Sequence, residues 1–187
     1  MNKFITKTYK NKKVLITGNT GFKGSWLSII LLEMGAEVFG YALPPKHERD
    51  NFTRSKLMSK HRQLNADIRD KNTLIKYINE VRPDFVFHLA AQAIVLDSYR
   101  NPSETFETNL MGTVNFFEAV RQCDSVKVAI NVTSDKCYDN KEWIWGYREN
   151  DPMGGKDPYS ASKGCAEIIT SAYLNSFFKD NSCHIAS

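Results

Sequence analysis

Residues 12–41, KKVLITGNTGFKGSWLSIILLEMGAEVFGY, decide the fold of this chain. They open with a short apolar run at 12–17, which is typical of a strand buried on both faces of a parallel sheet. A glycine-rich turn, an apolar helix pattern and a second apolar run at 37–41 follow in that order. The stretch therefore predicts a βαβ unit, and Gly35 suits the left-handed residue that ends its helix.

The turn of this unit carries three glycines at the spacing GxxGxxG. Between a buried strand and a helix, such glycines keep the turn tight and let backbone N–H groups approach a pyrophosphate. The alternative is a turn that only packs the helix and binds no ligand. We predict that the turn binds a dinucleotide cofactor through Gly18, Asn19, Gly21, Phe22, Lys23 and Gly24.

Strand and helix patterns continue to alternate after the βαβ unit, behind a polar stretch at 46–63 that we predict to be a loop with a short helix. Further strands are predicted at 64–68, 85–91, 126–132 and 183–187, and helices at 70–81, 102–123 and 160–178. Asp70 is a natural N-cap, and His88, inside an apolar run, is predicted to be a core residue without a catalytic role. The alternation predicts one Rossmann-like, doubly wound α/β domain with a parallel sheet.

The end of the second predicted strand bears on the choice of cofactor. Domains that prefer NAD usually place an acidic side chain there to hold the ribose 2′-hydroxyl, but this chain has Gly40-Tyr41-Ala42. Lys46 and Arg49 follow and could favour a 2′-phosphate. This motif therefore leaves both NAD and NADP open.

Composition excludes several classes of function. The 25 basic and 21 acidic residues are dispersed, which argues against a nucleic-acid partner. The longest apolar run, from Trp26 to Leu32, is far shorter than the roughly 20 residues of a membrane span. The amino terminus lacks the apolar core of a secretory signal, so we predict a cytoplasmic protein. The four cysteines match no zinc-binding spacing, and we predict free thiols and no metal site.

A second stretch, TSDKCYDNKEWIWGYRENDPMGGKDPYSASK at 133–163, carries groups that handle protons. Tyr159 and Lys163 are four residues apart on a predicted helix, where the ammonium can lower the pKa of the phenol from about 10. The fifth strand delivers Thr133 and Ser134 to the same sheet edge as the glycine turn. A phenol, an amine and a hydroxyl placed together suit proton transfer at an oxygen atom of a substrate.

The motifs TGNTGFKG, HLAAQ and YSASK resemble those of the extended short-chain dehydrogenase/reductases that act on nucleotide sugars. TSDKCYDN, WGYREN and MGGKDPYSASKG resemble more closely the CDP-glucose 4,6-dehydratases of that family. The resemblance implies an NAD-dependent lyase with CDP-glucose as its nucleotide-sugar substrate. It also implies a homodimer formed through the helices at 102–123 and 160–178.

The resemblance further implies roles for individual residues. Tyr159, Ser134 and Lys163 would oxidise the sugar at C4, and Asp135 would protonate the leaving 6-hydroxyl. Lys136 stands where related dehydratases place the base that removes the C5 proton, and the alternative is that it only pairs with Asp135. Cofactor contacts are implied for Tyr159 and Lys163 themselves and for Asp67, Ile68, Leu89, Ala90, Ala91, Gln92 and Asn109. Trp143, Trp145 and Tyr147 would form a flap near the sugar nucleotide, unless they only pack locally.

Two departures from the family pattern are visible. VLDSY replaces a VRxSY segment, so Leu96 and Asp97 stand where an arginine is usual. Family members also continue into a carboxy-terminal region that binds the substrate. From this resemblance we expect residues 1–187 to be an incomplete dinucleotide-binding Rossmann domain without the substrate domain. The alternatives are another nucleotide-sugar dehydratase, a 4-epimerase, or an NAD(P)-binding fragment without turnover.

Overall fold

A computed structural model describes residues 3–179 and 182–187 of the chain. Within these residues, six parallel strands form one sheet in the order β3-β2-β1-β4-β5-β6, which confirms the predicted doubly wound, Rossmann-like fold. The strands are β1 Lys13–Thr17, β2 Glu37–Ala42, β3 Arg62–Asn65, β4 Phe85–His88, β5 Val128–Asn131 and β6 His184–Ala186.

Helices cover both faces of this sheet. They are α1 Lys3–Tyr9, α2 Phe22–Glu33, α3 Asn51–Arg54, α4 Lys71–Val81, α5 Val95–Arg100, α6 Pro102–Phe106, α7 Gly112–Arg121 and α8 Pro158–Tyr173. Two π-helical turns, Glu107–Met111 and Leu174–Phe178, join α6 to α7 and extend α8. The predicted N-cap of α4 is confirmed, because the Asp70 carboxylate accepts a hydrogen bond from the backbone N–H of Thr73.

The third strand was predicted two or more residues too late. It runs over Arg62–Asn65, and it pairs with β2 from Phe39 opposite Arg62 to Ala42 opposite Asn65. This strand lies at the edge of the sheet and its sequence is polar, so it lacks the apolar run that marks a buried strand. The strand was predicted to extend to Ile68 because that residue is apolar. Ile68 is buried in the core, but it lies beyond the end of the strand.

Alternating residues of the central strands build the two halves of the core. Leu15 of β1 packs with Val86, Phe116 and other residues on one face of the sheet. Its neighbours Val14 and Ile16 face the opposite side. Because both faces are covered, every residue of this strand except the first is fully buried. This burial explains the apolar run in the sequence.

The glycine turn fixes the approach of α2 to β1. Gly18 has a φ of +72°, and a Cβ atom there would lie 2.6 Å from the backbone nitrogen of Ala90. A Cβ atom on Gly24 would lie 2.3 Å from the carbonyl oxygen of Gly18. Gly35, with a φ of +81°, follows the end of α2 as predicted. The turn thus requires glycine for close packing, whatever it binds.

His88 is the core residue that the sequence predicted. Its side chain is buried, its Nδ1 lies 2.7 Å from the hydroxyl oxygen of Thr17, and its ring stacks on Phe116. Burial, together with the positive charge of Lys163, lowers the pKa of His88 to about 3. The imidazole is therefore neutral in the folded protein at pH 7.

This histidine predicts a loss of stability in acid. Between pH 6.5 and about 3 the unfolded chain binds a proton that folded His88 does not, so the free energy of unfolding falls as the pH falls. The slope from this group reaches about 1.4 kcal/mol per pH unit. Urea unfolding of His88→Gln against pH should show a shallower slope than the wild type. His47→Gln, at an exposed histidine, should keep the wild-type slope.

No helix among the described residues is both long and apolar enough to cross a membrane.

Candidate active site

A groove of about 810 Å³ opens at the carboxyl edge of the sheet, where open parallel sheets bind ligands. It receives residues from the loops after β1, β2, β3, β4 and β5 and from the first turns of α8. The predicted cofactor-binding residues that line it are Gly18, Gly21, Phe22, Lys23, Gly24, Asp67, Ile68, Leu89, Ala90, Ala91, Gln92, Tyr159 and Lys163.

The start of α2 gives this groove a positive end. Gly21 is the N-cap of the helix, and no side chain caps the first turn. The exposed N–H groups of that turn and the helix dipole favour an anion, and the ammonium of Lys23 lies in the same groove. The residues present therefore fit the pyrophosphate of a dinucleotide.

Tyr159 and Lys163 line the same groove from α8, one helical turn apart. Only 7% of Lys163 is exposed. Burial and the charge of Lys23 lower the pKa of the lysine to about 8, whereas Glu167 acts in the opposite direction. The amine is thus close to its titration range at neutral pH and can exchange a proton with nearby groups.

The end of β2 carries no carboxylate toward the groove. Tyr41 is fully buried there, and its hydroxyl donates a hydrogen bond of 2.9 Å to the backbone oxygen of Asp67. Lys46 and Arg49 line the groove just beyond this strand. The Asp50 carboxylate nearby accepts the backbone N–H of Lys46. The last residues of β2 therefore offer no carboxylate to a ribose 2′-hydroxyl, as the sequence predicted.

Asp67 itself is held by an arginine that the sequence did not single out. The Arg69 guanidinium lies 2.6 Å from the carboxylate and keeps the pKa of Asp67 below its usual range. Arg69 also lines the groove. The carboxylate is ionised and already engaged with Arg69.

A second cavity of about 830 Å³ adjoins the groove, and Thr133 lines both. Ser134, Asp135 and Glu167 line the second cavity. The Ser134 hydroxyl donates to the Asp135 carboxylate at 3.0 Å and accepts the backbone N–H of Lys136. The predicted catalytic residues thus fall into two neighbouring places, with Tyr159 and Lys163 in the groove and Ser134 and Asp135 beside it.

Lys136 lines neither cavity and is exposed. Its positive charge acts on Asp157, the N-cap of α8, whose carboxylate accepts the backbone N–H of Ser160 at 2.9 Å. Burial opposes ionisation of Asp157, but the hydrogen bonds and this charge keep its pKa low. No ion pair joins Lys136 to Asp135 in the part of the chain that the structure describes.

Two predicted cofactor residues lie outside the lining of the groove. Asn19 is fully buried beneath the glycine turn, and its Nδ2 donates to Gln63 at 2.6 Å. Asn109, on the π-helical turn, accepts the N–H of Gln92 at 2.8 Å and donates to Ser162 at 2.9 Å. Both side chains fix the loops that form the groove, and their contacts with a cofactor stay predictions.

The aromatic residues of the predicted flap pack partly against each other. Tyr147 stacks on Tyr138 with ring centroids 5.1 Å apart, and Trp143 packs on Tyr147 at 5.6 Å. Trp145 is 70% exposed and lines neither cavity. Trp143 and Tyr147 thus pack locally, and a role for the three residues as a flap stays a prediction.

Leu96 and Asp97, which replace the arginine segment of the family pattern, lie on α5, a helix that the sequence did not predict. Leu96 is 68% exposed, and Asp97 pairs with Arg100 one turn later. Neither residue lines the groove or the second cavity.

The sequence placed Thr133 at the edge of the sheet but assigned it no role, and Glu167 was missed as a member of the site. Thr133 follows β5 and donates its hydroxyl hydrogen to the Glu167 carboxylate. Glu167 comes four residues after Lys163 and eight after Tyr159, so the helical period places all three on one face of α8. That spacing was the available signal.

Comparison with known proteins gives consistent matches to enzymes of nucleotide sugars. The family model of GDP-mannose 4,6 dehydratase matches residues 15–185. The CDP-glucose 4,6-dehydratase of Salmonella typhimurium is 54% identical over 170 residues, which cover 91% of this chain and 47% of that protein. The CDP-paratose 2-epimerase of Salmonella typhi is 33% identical over 181 residues, covering 88% of this chain and 54% of that protein.

Among solved structures, the UDP-glucose 4-epimerase of Thermus thermophilus in complex with NAD is similar in fold. It has a TM-score of 0.74 and 32% sequence identity, and the match covers 88% of this chain and 51% of that chain. The chain thus spans about half the length of the relatives that it matches.

Proposed function

The chain belongs to the GDP-mannose 4,6-dehydratase family. From that premise we propose that it functions in an NAD-dependent nucleotide-sugar dehydratase that acts on CDP-glucose. One observation carries the proposal. The Tyr159–Lys163 pair lies in the same groove as the glycine turn, so a proton acceptor and an anion-binding helix end share one site. The identity with the Salmonella CDP-glucose 4,6-dehydratase supports the choice of substrate.

The charge of the groove suits a dinucleotide such as NAD, because the glycine turn and the start of α2 line one part of it and Tyr159 and Lys163 line another. When bound, NAD⁺ accepts a hydride and returns it. Tyr159 takes the proton of the sugar 4-hydroxyl, and Lys163 stabilises the phenolate through its positive charge. Ser134, after release from Asp135, holds the 4-oxygen. NADP is the alternative cofactor, because β2 ends without an acid.

Elimination then needs an acid and a base beside the redox pair. A ketone at C4 acidifies the proton at C5, and we assign removal of that proton to Lys136 and protonation of the leaving 6-hydroxyl to Asp135. In this assignment the Asp135 carboxyl donates a proton to the leaving oxygen, and the Lys136 amine accepts the proton from C5. In the resting chain the charge of Lys136 acts on Asp157, and the amine must turn toward the sugar.

A competing proposal is 4-epimerisation, which the similarity to a UDP-glucose 4-epimerase supports. Epimerisation needs the tyrosine and the cofactor but no acid and base for water loss. Asp135 and Lys136, placed directly after Ser134, favour elimination.

Lys136→Ala is expected to separate the two halves of the reaction. Oxidation at C4 should continue at close to the wild-type rate, because Tyr159 and Lys163 are untouched. Loss of water should slow by about 10² to 10⁴-fold, which is the usual contribution of a positioned base. Rapid quenching followed by borohydride trapping should therefore reveal more of the 4-keto-glucose intermediate. Lys156→Ala, at another exposed lysine, is the control. Wild-type turnover in Lys136→Ala would refute the assignment.

We also propose that the protein forms a homodimer through α7 and α8. Met111, Ile168 and Leu174 on and beside these helices are exposed apolar residues. Sedimentation equilibrium measures the stoichiometry directly.

A further inference from the structure

Glu167 occupies the junction of three elements at the active edge of the sheet. It is half-buried on α8, and its two carboxylate oxygens accept hydrogen bonds from the hydroxyls of Thr133 and Ser187. Thr133 follows β5 and Ser187 follows β6. The side chain therefore ties the ends of two strands to the helix that carries Tyr159.

The same carboxylate lies on the helix face of Lys163. The positive charge of Lys23 on α2 acts on that buried amine, and the charge of the amine acts on His88 of β4. His88 is neutral at pH 7, so it supplies no charge, and Lys23 repels the ammonium. Glu167 attracts the ammonium from one turn along α8. A buried cation in a partly positive groove requires such a counter-charge.

We propose that Glu167 is a positioning residue of the redox site, with its carboxylate fixing Thr133 at the end of β5 and its negative charge holding the Lys163 ammonium in place. This inference rests on the proposed function, because it assigns a role within that same site. Thr133 immediately precedes Ser134, so the contact sets the place from which the serine hydroxyl reaches the substrate. The charge keeps the lysine able to stabilise a phenolate on Tyr159.

If Glu167 had only a structural role, its hydrogen bonds would matter and its negative charge would have no effect on Lys163. Four other titratable residues line the second cavity with Glu167: Asp135, Cys137, Tyr138 and Glu149. Burial raises the pKa of the Cys137 thiol and of the Tyr138 phenol, so both groups are neutral at pH 7. The charges that act on Lys163 are those of Lys23 and Glu167, and neither Asp135 nor Glu149 is among them.

Two variants separate charge from hydrogen bonding. Glu167→Gln keeps an oxygen that accepts from Thr133 and removes the charge, whereas Thr133→Val removes the hydrogen bond and keeps the charge. The pKa of Lys163 is read from the Cε signal of ¹³C-labelled lysine, assigned by its loss in Lys163→Met. In the full chain without ligand, Glu167→Gln should lower this pKa by about one unit from about 8. Thr133→Val should leave it within a few tenths of a unit.

Hydrogen exchange supplies the complementary result. The backbone N–H groups of Thr133 and Ser134 should exchange about ten times faster in Thr133→Val and at nearly the wild-type rate in Glu167→Gln. An unchanged pKa of Lys163 in Glu167→Gln overturns the proposal, as does an equal shift in both variants.

Thr133→Ser covers the case in which Glu167→Gln does not fold. It keeps the hydroxyl that donates to Glu167, so the backbone N–H groups of residues 133 and 134 should exchange at nearly the wild-type rate. An increase equal to that in Thr133→Val overturns the proposal. These readouts need no substrate and no cofactor. Failure of the proposed dehydratase function would appear instead as absent turnover, so the two outcomes are distinguishable.

Discussion

Gly18→Ala is expected to destabilise the folded chain by about 3 kcal/mol, the upper range for overpacking in a tight core. Two costs add at this position. The φ of +72° is strained for any residue with a Cβ atom, and that atom would lie 2.6 Å from the backbone nitrogen of Ala90. Turning a side chain cannot relieve either cost, because both involve backbone atoms. The backbone itself is held in place, because β1 and β4 are paired neighbours in the sheet.

Urea denaturation followed by circular dichroism measures the effect. Gly146→Ala is the matched control, because a Cβ atom there meets nothing within 4 Å. Its unfolding midpoint should stay at the wild-type value. A Gly18→Ala variant as stable as the wild type would mean that the turn between β1 and α2 is not as close to β4 as described.

Tyr159→Phe is expected to reduce hydride transfer by about 10³-fold, within the usual range for loss of a positioned proton acceptor. The phenol lines the groove with Lys163, and phenylalanine keeps the ring while removing the hydroxyl. Folding and cofactor affinity should change little. The rate is followed in a single turnover, as the absorbance of the reduced cofactor after mixing with CDP-glucose.

Tyr99→Phe is the control for this prediction, because Tyr99 is 62% exposed and lines neither the groove nor the second cavity. It should transfer hydride at the wild-type rate. If Tyr159→Phe retained more than a tenth of the wild-type rate, another group would have to accept the proton of the 4-hydroxyl.

The sequence predicted β1 and β2 better than the edge strand β3. β1 and β2 are buried on both faces, so their apolar runs identify them directly. β3 has one neighbour and a polar sequence, and its position depends on pairing with β2 rather than on its own residues. The short α5 carries no cap or long apolar period, so it had no comparable signal.

The site was predictable where spacing alone determines geometry. Tyr159 and Lys163 share a helix face at any helix orientation, and the carboxyl edge of a parallel sheet follows from the strand order. The contact of Glu167 with Thr133 depends instead on how α8 crosses β5, which local sequence does not encode. Asn19 was assigned to the cofactor by its place in the turn, but its side chain points beneath that turn to Gln63.

The central claim is that the chain functions in a dehydratase in which a hydride leaves C4 of the glucose and returns to C6. CDP-glucose deuterated at C4 tests this directly, in the presence of NAD⁺ and the full-length protein that contains residues 1–187. The account predicts a 4-keto-6-deoxy product with the deuterium at C6, detected by NMR and mass spectrometry. Deuterium retained at C4 of an epimer, a product without label at C6, or substrate recovered unchanged would contradict it.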